Sequence, residues 1–282
     1  MKIQWSALAV STMLVMAPVA AMAADGTFDK TLHVGNDVQL SVGTGSGYIH
    51  VSPGSDNMIH IIGHVRANSW SGFGSSEDRV RDVVANPPIE QSGNYVAVGK
   101  HTNYHNISID YDITAPKGTN LEASSGSGDL RLVDLGGPLK ASTGSGSIEA
   151  NGLTGRVVLE TGSGDIHSEM RTTSDVKAQT GSGTIRLRGV NGGLYAETGS
   201  GDIEIEGQPG SNWKVETGSG TVTLTTGKAR FSLDASTGSG TVHSDPPIST
   251  HGSLERHHIT GDVNGGGPTV RVETGSGDIR IR

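Results

Sequence analysis

Four carboxylates stand directly after a Gly-Ser-Gly tripeptide, at Asp129, Asp165, Asp202 and Asp278. Acidic oxygens repeated from turn to turn are the raw material of a calcium ladder, as in β-rolls built of paired nine-residue repeats. Here the other copies of the tripeptide are followed by Tyr48, Ser147, Thr184, Thr221 and Thr241, and no second acidic turn lies nine residues further on. A calcium ladder needs oxygen ligands in every coil, so these Asp side chains are read as turn residues that cap backbone N–H groups. A second acidic set, Glu160, Glu197, Glu216 and Glu273, precedes the tripeptide. Polysaccharide lyases and hydrolases gather acids and a basic residue in one groove. These glutamates recur too regularly for one active site and read as a solvated acidic stripe.

Other chemistries are weaker. His251, His257 and His258 cluster, and His101 and His105 flank Tyr104, but no carboxylate stands at a defined metal-ligand spacing, so they read as surface or packing histidines. Glycine-rich phosphate loops lead into a helix, whereas each Gly-Ser-Gly here leads into a strand pattern. A flat threonine plane for ice or crystal binding is met in one coil only, by Thr221, Thr223 and Thr225. The positions equivalent to Thr223 are Arg131, Glu149, His167, Arg186, Glu204, His243 and Arg280, a mixed column that predicts Arg131–Glu149 and Arg186–Glu204 pairs between adjacent coils. The polar loop from Ala67 to Ser75 carries Trp70 and Phe73, which either stack on a partner or fold back to plug an open end. They are the candidate partner-binding residues. No catalytic residue, cofactor-binding residue or metal ligand is assigned, and no cofactor is expected.

These residues are positioned by a repeat. Gly-Ser-Gly occurs nine times, starting at Gly45, Gly126, Gly144, Gly162, Gly181, Gly199, Gly218, Gly238 and Gly275. Eight copies follow Thr and one follows Ser125. Each is flanked by period-two alternation, such as Leu194-Tyr-Ala196 before the turn and Ile203-Glu-Ile205 after it, the mark of a strand with one face buried. Two short strands and two turns make one coil, and one coil cannot bury its apolar face alone, so coils must stack. Tight turns at one place in every coil call for glycine, expected here for positive φ. The 37-residue step from Gly238 to Gly275 suggests one degenerate coil around Arg256 to Ile259. The sequence closes on Ile279-Arg-Ile281-Arg282, a last coil without an apolar cap, in which Arg280 and Arg282 are expected to act as charged gatekeepers against end-to-end stacking.

Composition agrees. The 282 residues include 43 Gly and no Cys, which removes disulfide frameworks, thiolate metal sites and cysteine nucleophiles. A balance of 21 basic to 29 acidic residues argues against nucleic-acid binding. Met1-Lys2, an apolar run from Ile3 to Val19 and the small residues Ala20–Ala23 describe a secretory signal peptide, after which no segment is long and apolar enough to span a membrane. The expected organisation is 1–23 signal peptide, 24–120 N-terminal cap and irregular first coils, and 121–282 regular repeats, continuous as one domain with 24–120. A short helix is predicted from Ser76 to Val84, ended by Pro87-Pro88. The fold class is all-β, a single-stranded right-handed parallel β-solenoid (β-helix) with 18–19-residue coils and one short helix in the cap region.

The stretch Tyr111-Asp-Ile-Thr-Ala-Pro116-Lys-Gly-Thr119 and the following Thr-Gly-Ser-Gly-Asp-Ile units up to Ile281 resemble the bacterial DUF4097 family of β-strand-repeat proteins, whose members carry the adhesin label. The resemblance implies an extracytoplasmic β-solenoid and supplies no catalytic residues. The expected function is therefore non-enzymatic: an exported protein of the periplasm, cell surface or medium, serving adhesion or envelope scaffolding. Its partner class is a glycan or a cell-envelope protein. The alternatives are a periplasmic envelope-stress or signalling component and a polysaccharide-active β-helix enzyme.

Overall fold

Alternating apolar and polar residues send one side chain inward and the next to solvent. The computed structural model describes residues 24–67, 76–99 and 106–282, and carries that pattern through 25 strands and one helix. The N-terminal part holds β1 (Ala24–His33), β2 (Gln39–Thr44), β3 (Ile49–Pro53), β4 (Met58–Ala67), α1 (Ser76–Ala85), β5 (Ile89–Ser92), β6 (Tyr95–Val98) and β7 (Ile107–Ala115). The repeats give β8 (Asn120–Ser125), β9 (Leu130–Val133), β10 (Leu139–Thr143), β11 (Ile148–Leu153), β12 (Val157–Thr161) and β13 (Ile166–Met170). They continue as β14 (Val176–Ser182), β15 (Ile185–Val190), β16 (Leu194–Ser200), β17 (Ile203–Gly207), β18 (Trp213–Ser219) and β19 (Val222–Thr225). Last come β20 (Phe231–Ser239), β21 (Val242–Ser244), β22 (Ile248–Glu255), β23 (His258–Val263), β24 (Thr269–Ser276) and β25 (Ile279–Ile281).

Each coil gives one strand to a 13-stranded sheet and, past the Gly-Ser-Gly turn, one to a 12-stranded sheet. Neighbours are parallel and one period apart: Leu139 lies between Leu121 and Val157, and Ile166 between Ile148 and Ile185. The core is a set of columns between the two sheets. One runs Leu121, Leu139, Val157, Val176, Leu194 and Trp213, and a facing one runs Leu130, Ile148, Ile166, Ile185, Ile203 and Val222, all buried. The indole of Trp213 fits because its Nε1–H donates to the Gly192 carbonyl at 2.8 Å.

The threonines before the turns form a ladder. Thr161 Oγ1 donates to the Gly146 carbonyl one coil back at 2.9 Å, and Thr143, Thr180, Thr198 and Thr217 repeat the bond. The expected reason for glycine holds in five copies, whose last glycine (Gly183, Gly201, Gly220, Gly240 and Gly277) has positive φ. Space is a second reason: a Cβ on Gly146, whose φ is not positive, would lie 2.1 Å from the Gly128 carbonyl oxygen. The turns stack so closely that a side chain is excluded even where the backbone would admit one.

The stack departs from chain order at both ends. The coil β2–β3 lies between β8–β9 on one side and β6–β7 on the other. At the far end, β24–β25 lies between β18–β19 and β20–β21. The expected degenerate coil around Arg256 to Ile259 is an antiparallel hairpin, β22–β23, paired on β20. Asp245-Pro246-Pro247 interrupts the parallel course, and Asn264, Gly265 and Gly266, all at positive φ, turn the chain back to place β24 inside the stack. Arg280 and Arg282 therefore do not guard an end, because their coil is interior.

Antiparallel elements close the N-terminal end: β4 on β7, β1 on β4, and β5 on β6. Helix α1 forms where the sequence predicts it and buries Val80 and Val83. Phe28 fills the space over Gly63 and meets Tyr111 edge-on at 6.4 Å between ring centroids.

Candidate functional site

The repeat decides which residues reach the outer face of the 12-stranded sheet. In stacking order one outward column reads Asp112, His50, Arg131, Glu149, His167, Arg186 and Glu204. His50-Arg131-Glu149 and His167-Arg186-Glu204 are thus the same triplet twice, three coils apart. The predicted pairs form: Arg131 Nη1 lies 3.6 Å from Glu149 Oε2, and Arg186 Nε donates to Glu204 Oε2 at 3.1 Å. Arg186 Nη1 also lies 3.0 Å from His167 Nε2. These residues floor an open groove of ≈ 880 Å³ that crosses the strands from Tyr48 and Asp112 to Arg186 and Arg188.

Tyr48 closes one end of the groove and is 39% exposed. Its hydroxyl donates to Asp112 Oδ2 at 2.8 Å, and its backbone N–H to Asp110 Oδ1 at 3.0 Å. Partial burial, with the bond to Asp112 and that group's charge, pushes the phenol up to about 12. Asp112 also meets His50 Nδ1 at 3.2 Å and His64 Nε2 at 3.5 Å. Asp110 is buried and is held by an ion pair with Arg66. Tyr48, His50, His64 and Asp112 were not singled out from the sequence. They sit 62 or more residues apart in part, and only the displaced first coil unites them; the available signal was that Tyr48 is the one aromatic after a Gly-Ser-Gly.

The turn aspartates cap backbone N–H groups, as expected. Asp129 accepts from Ser147 N at 2.8 Å, Asp165 from Thr184 N at 2.7 Å, and Asp202 from Thr221 N at 2.8 Å. Asp278 accepts from both the N–H and the hydroxyl of Thr241, which holds its carboxyl below the usual carboxylate range. In stacking order the position after the turn reads Asp110, Tyr48, Asp129, Ser147, Asp165, Thr184, Asp202, Thr221, Asp278, Thr241. Aspartate alternates with a residue that donates its N–H to it, without exception. In chain order the alternation fails, since Thr241 follows Thr221.

The glutamates of the 13-stranded sheet do form one column, Glu160, Gln179, Glu197, Glu216 and Glu273. It is not a bare acidic stripe. Lys177 Nζ lies 2.7 Å from Glu160, Lys214 Nζ lies 2.8 Å from Glu216, and Arg271 pairs with Glu273. Glu197 accepts from Tyr195 Oη at 2.7 Å and Gln179 Nε2 at 2.6 Å, which lowers its own pKa and raises the tyrosine to about 12.

The remaining sequence candidates are scattered. Trp70 and Phe73 lie outside the described residues, as do His101, Tyr104, His105 and the side chain of His251. His258 Nε2 sits 3.1 Å from Asp234, and His257 is exposed. Among the described residues no three His, Cys, Asp or Glu side chains are grouped to hold a metal ion. No described helix is long and apolar enough to cross a membrane.

Solved structures similar to this chain include a candidate cell-adhesion protein from Clostridium sporogenes (15% identity, TM-score 0.30, covering 91% of this chain and 99% of that one). Others are candidate adhesins from Parabacteroides merdae (12%, TM-score 0.31, covering 91% and 96%) and Bacteroides fragilis (13%, TM-score 0.26, covering 91% and 97%). Similarity of this degree does not say what the chain binds. A comparison with curated proteins finds no match. The family model described as Toastrack DUF4097 matches residues 88–282, which hold every coil of the stack except β2–β3, and the chain belongs to that family.

Proposed function

We propose that this is an exported, non-enzymatic β-solenoid that serves adhesion or cell-envelope scaffolding through its repetitive polar faces. The observation that carries the reading is the coil-by-coil recurrence of the outward columns, above all the doubled His-Arg-Glu triplet. A ligand held by such a face makes a polar contact at each coil and meets the same set every third coil, so that many weak contacts add by avidity. The neighbouring charges are already paired, which favours displaying a rigid polar surface over driving a reaction. Met1–Ala23 acts as the cleaved export signal in this reading.

Location is the test. A protease site inserted beside Gly118, where nothing lies within 4 Å of an added Cβ, should be cut on intact cells while a periplasmic control stays protected. Protection of both would retire surface adhesion and leave a periplasmic scaffold or envelope-stress component.

A further inference from the structure

We infer that the groove on the 12-stranded sheet binds a linear, uncharged polysaccharide lying along the stack, with Tyr48 as the stacking platform for one sugar ring; this rests on the adhesion reading above. The ring of Tyr48 is exposed, yet it is fixed at both ends, by its hydroxyl on Asp112 and its backbone N–H on Asp110. An aromatic face held in place before binding loses little freedom when a pyranose packs on it. Tyr48 and Tyr95 are the large apolar side chains most exposed among the described residues, and only Tyr48 lines this groove.

The direction and length of the ligand follow from the stack. From Asp112 on β7 through β3, β9, β11 and β13 to Arg186 on β15, six strands cross beneath the groove. At ~4.8 Å per strand they present roughly 24 Å of polar floor. One pyranose in a linear chain spans about one coil, so a chain of about six sugars meets a new row of side chains at each residue. The triplet repeat offers donors and acceptors in the same order every third coil.

Charge selects an uncharged chain. Arg131, Arg186 and Arg188 stand against Asp112, Asp129, Glu149 and Glu169, and Arg131 and Glu149 are already paired. A polyanion would meet Glu149 and Glu169 side by side with the arginines, and a polycation would meet the arginines. Hydroxyl and N-acetamido groups accept from the guanidinium groups and donate to the carboxylates without either penalty.

Three hexasaccharide probes test this by calorimetric titration: β-1,4-linked N-acetylglucosamine, galacturonate and deacetylated glucosamine. The neutral hexamer should bind, and its affinity should rise with chain length up to about six sugars and then level off. Tyr48→Ala should weaken it about tenfold or more, and Tyr48→Phe, which keeps the ring, should weaken it less; the unfolding temperature of each variant checks the fold. Preference for either charged hexamer, absence of binding by the neutral one, or equal affinity of Tyr48→Ala would overturn the proposal. Beads coated with the protein give the second arm. If they hold to cell envelopes although the neutral hexamer does not bind, the glycan inference falls and adhesion stands. If protease treatment of the envelopes abolishes the hold, the partner is a protein. If the beads do not hold, the adhesion reading falls with it.

Discussion

The displaced C-terminal coil can be tested with two cysteine pairs, because the chain has no cysteine of its own. In the structure Glu216 is the direct neighbour of Glu273, and Glu273 of Ser236. Adjacent strands lie ~4.8 Å apart, so Glu216 and Ser236 are separated by roughly 9.6 Å. A disulfide reaches across Cα distances up to about 7 Å. Glu216→Cys with Glu273→Cys should therefore oxidise readily, and Glu216→Cys with Ser236→Cys should not. Stacking in chain order predicts the reverse. The first bond closes a loop of roughly 60 residues, worth about 4 kcal/mol by chain entropy. Against this stand the surface pair of Glu216 with Lys214, contributing under ~1 kcal/mol, and the contact of Glu273 with the exposed Arg271. The net expectation is a gain of about 2–4 kcal/mol, read by denaturant unfolding with and without reductant, with peptide mapping to confirm the bond. Efficient oxidation of the 216/236 pair, with the 216/273 pair left reduced, would refute the inserted coil.

Three further outcomes follow from the turns and ladders. Gly146→Ala should cost about 1–3 kcal/mol in thermal unfolding through the clash with the Gly128 carbonyl, while Gly118→Ala, with open space around it, should stay within ~0.5 kcal/mol. Thr161→Val withdraws a buried donor from the Gly146 carbonyl and should cost about 1–3 kcal/mol; Thr161→Ser should cost less. The phenols of Tyr48 and Tyr195 have folded pKa values of about 12, above the unfolded value of 10.0. The stability they contribute is thus complete below pH 10 and is lost as pH rises toward 12; in ultraviolet titration Tyr48→Phe and Tyr195→Phe should each remove one late-ionising tyrosine.

Much of the fold is legible in the sequence because its cause is local. Leu194-Tyr-Ala196 and Ile203-Glu-Ile205 announce their inward and outward faces by alternation, and the Thr-Gly-Ser-Gly spacing fixes which residues become neighbours. The Arg131–Glu149 and Arg186–Glu204 pairs could be read for that reason. The inserted coils could not be read the same way, since the β24 strand pairs equally well in either place: Val270 and Val272 match the apolar columns on both sides. Only the Asp/non-Asp alternation distinguishes the two orders, and it is visible once the coils are set in their spatial sequence. The Tyr48–Asp112 end of the groove was hidden for the same reason, since partners 64 positions apart in the chain meet across one strand spacing.

The alternation of aspartates and N–H donors constrains how such a protein changes length during evolution. Loss of a single coil, residues 144–161, would set Asp129 beside Asp165, two like charges one strand apart, and would take Ser147 from Asp129 while Thr184 stays with Asp165. Loss of two coils, residues 144–180, would set Asp129 beside Thr184 and restore the pattern. Gene duplications and deletions should therefore survive in even numbers of repeats. They should also fall among the central coils, because hairpins hold both ends of the 13-stranded sheet and the coils of the first and last Gly-Ser-Gly turns lie inside the stack. On this argument the solenoid lengthens from the middle, two rungs at a time.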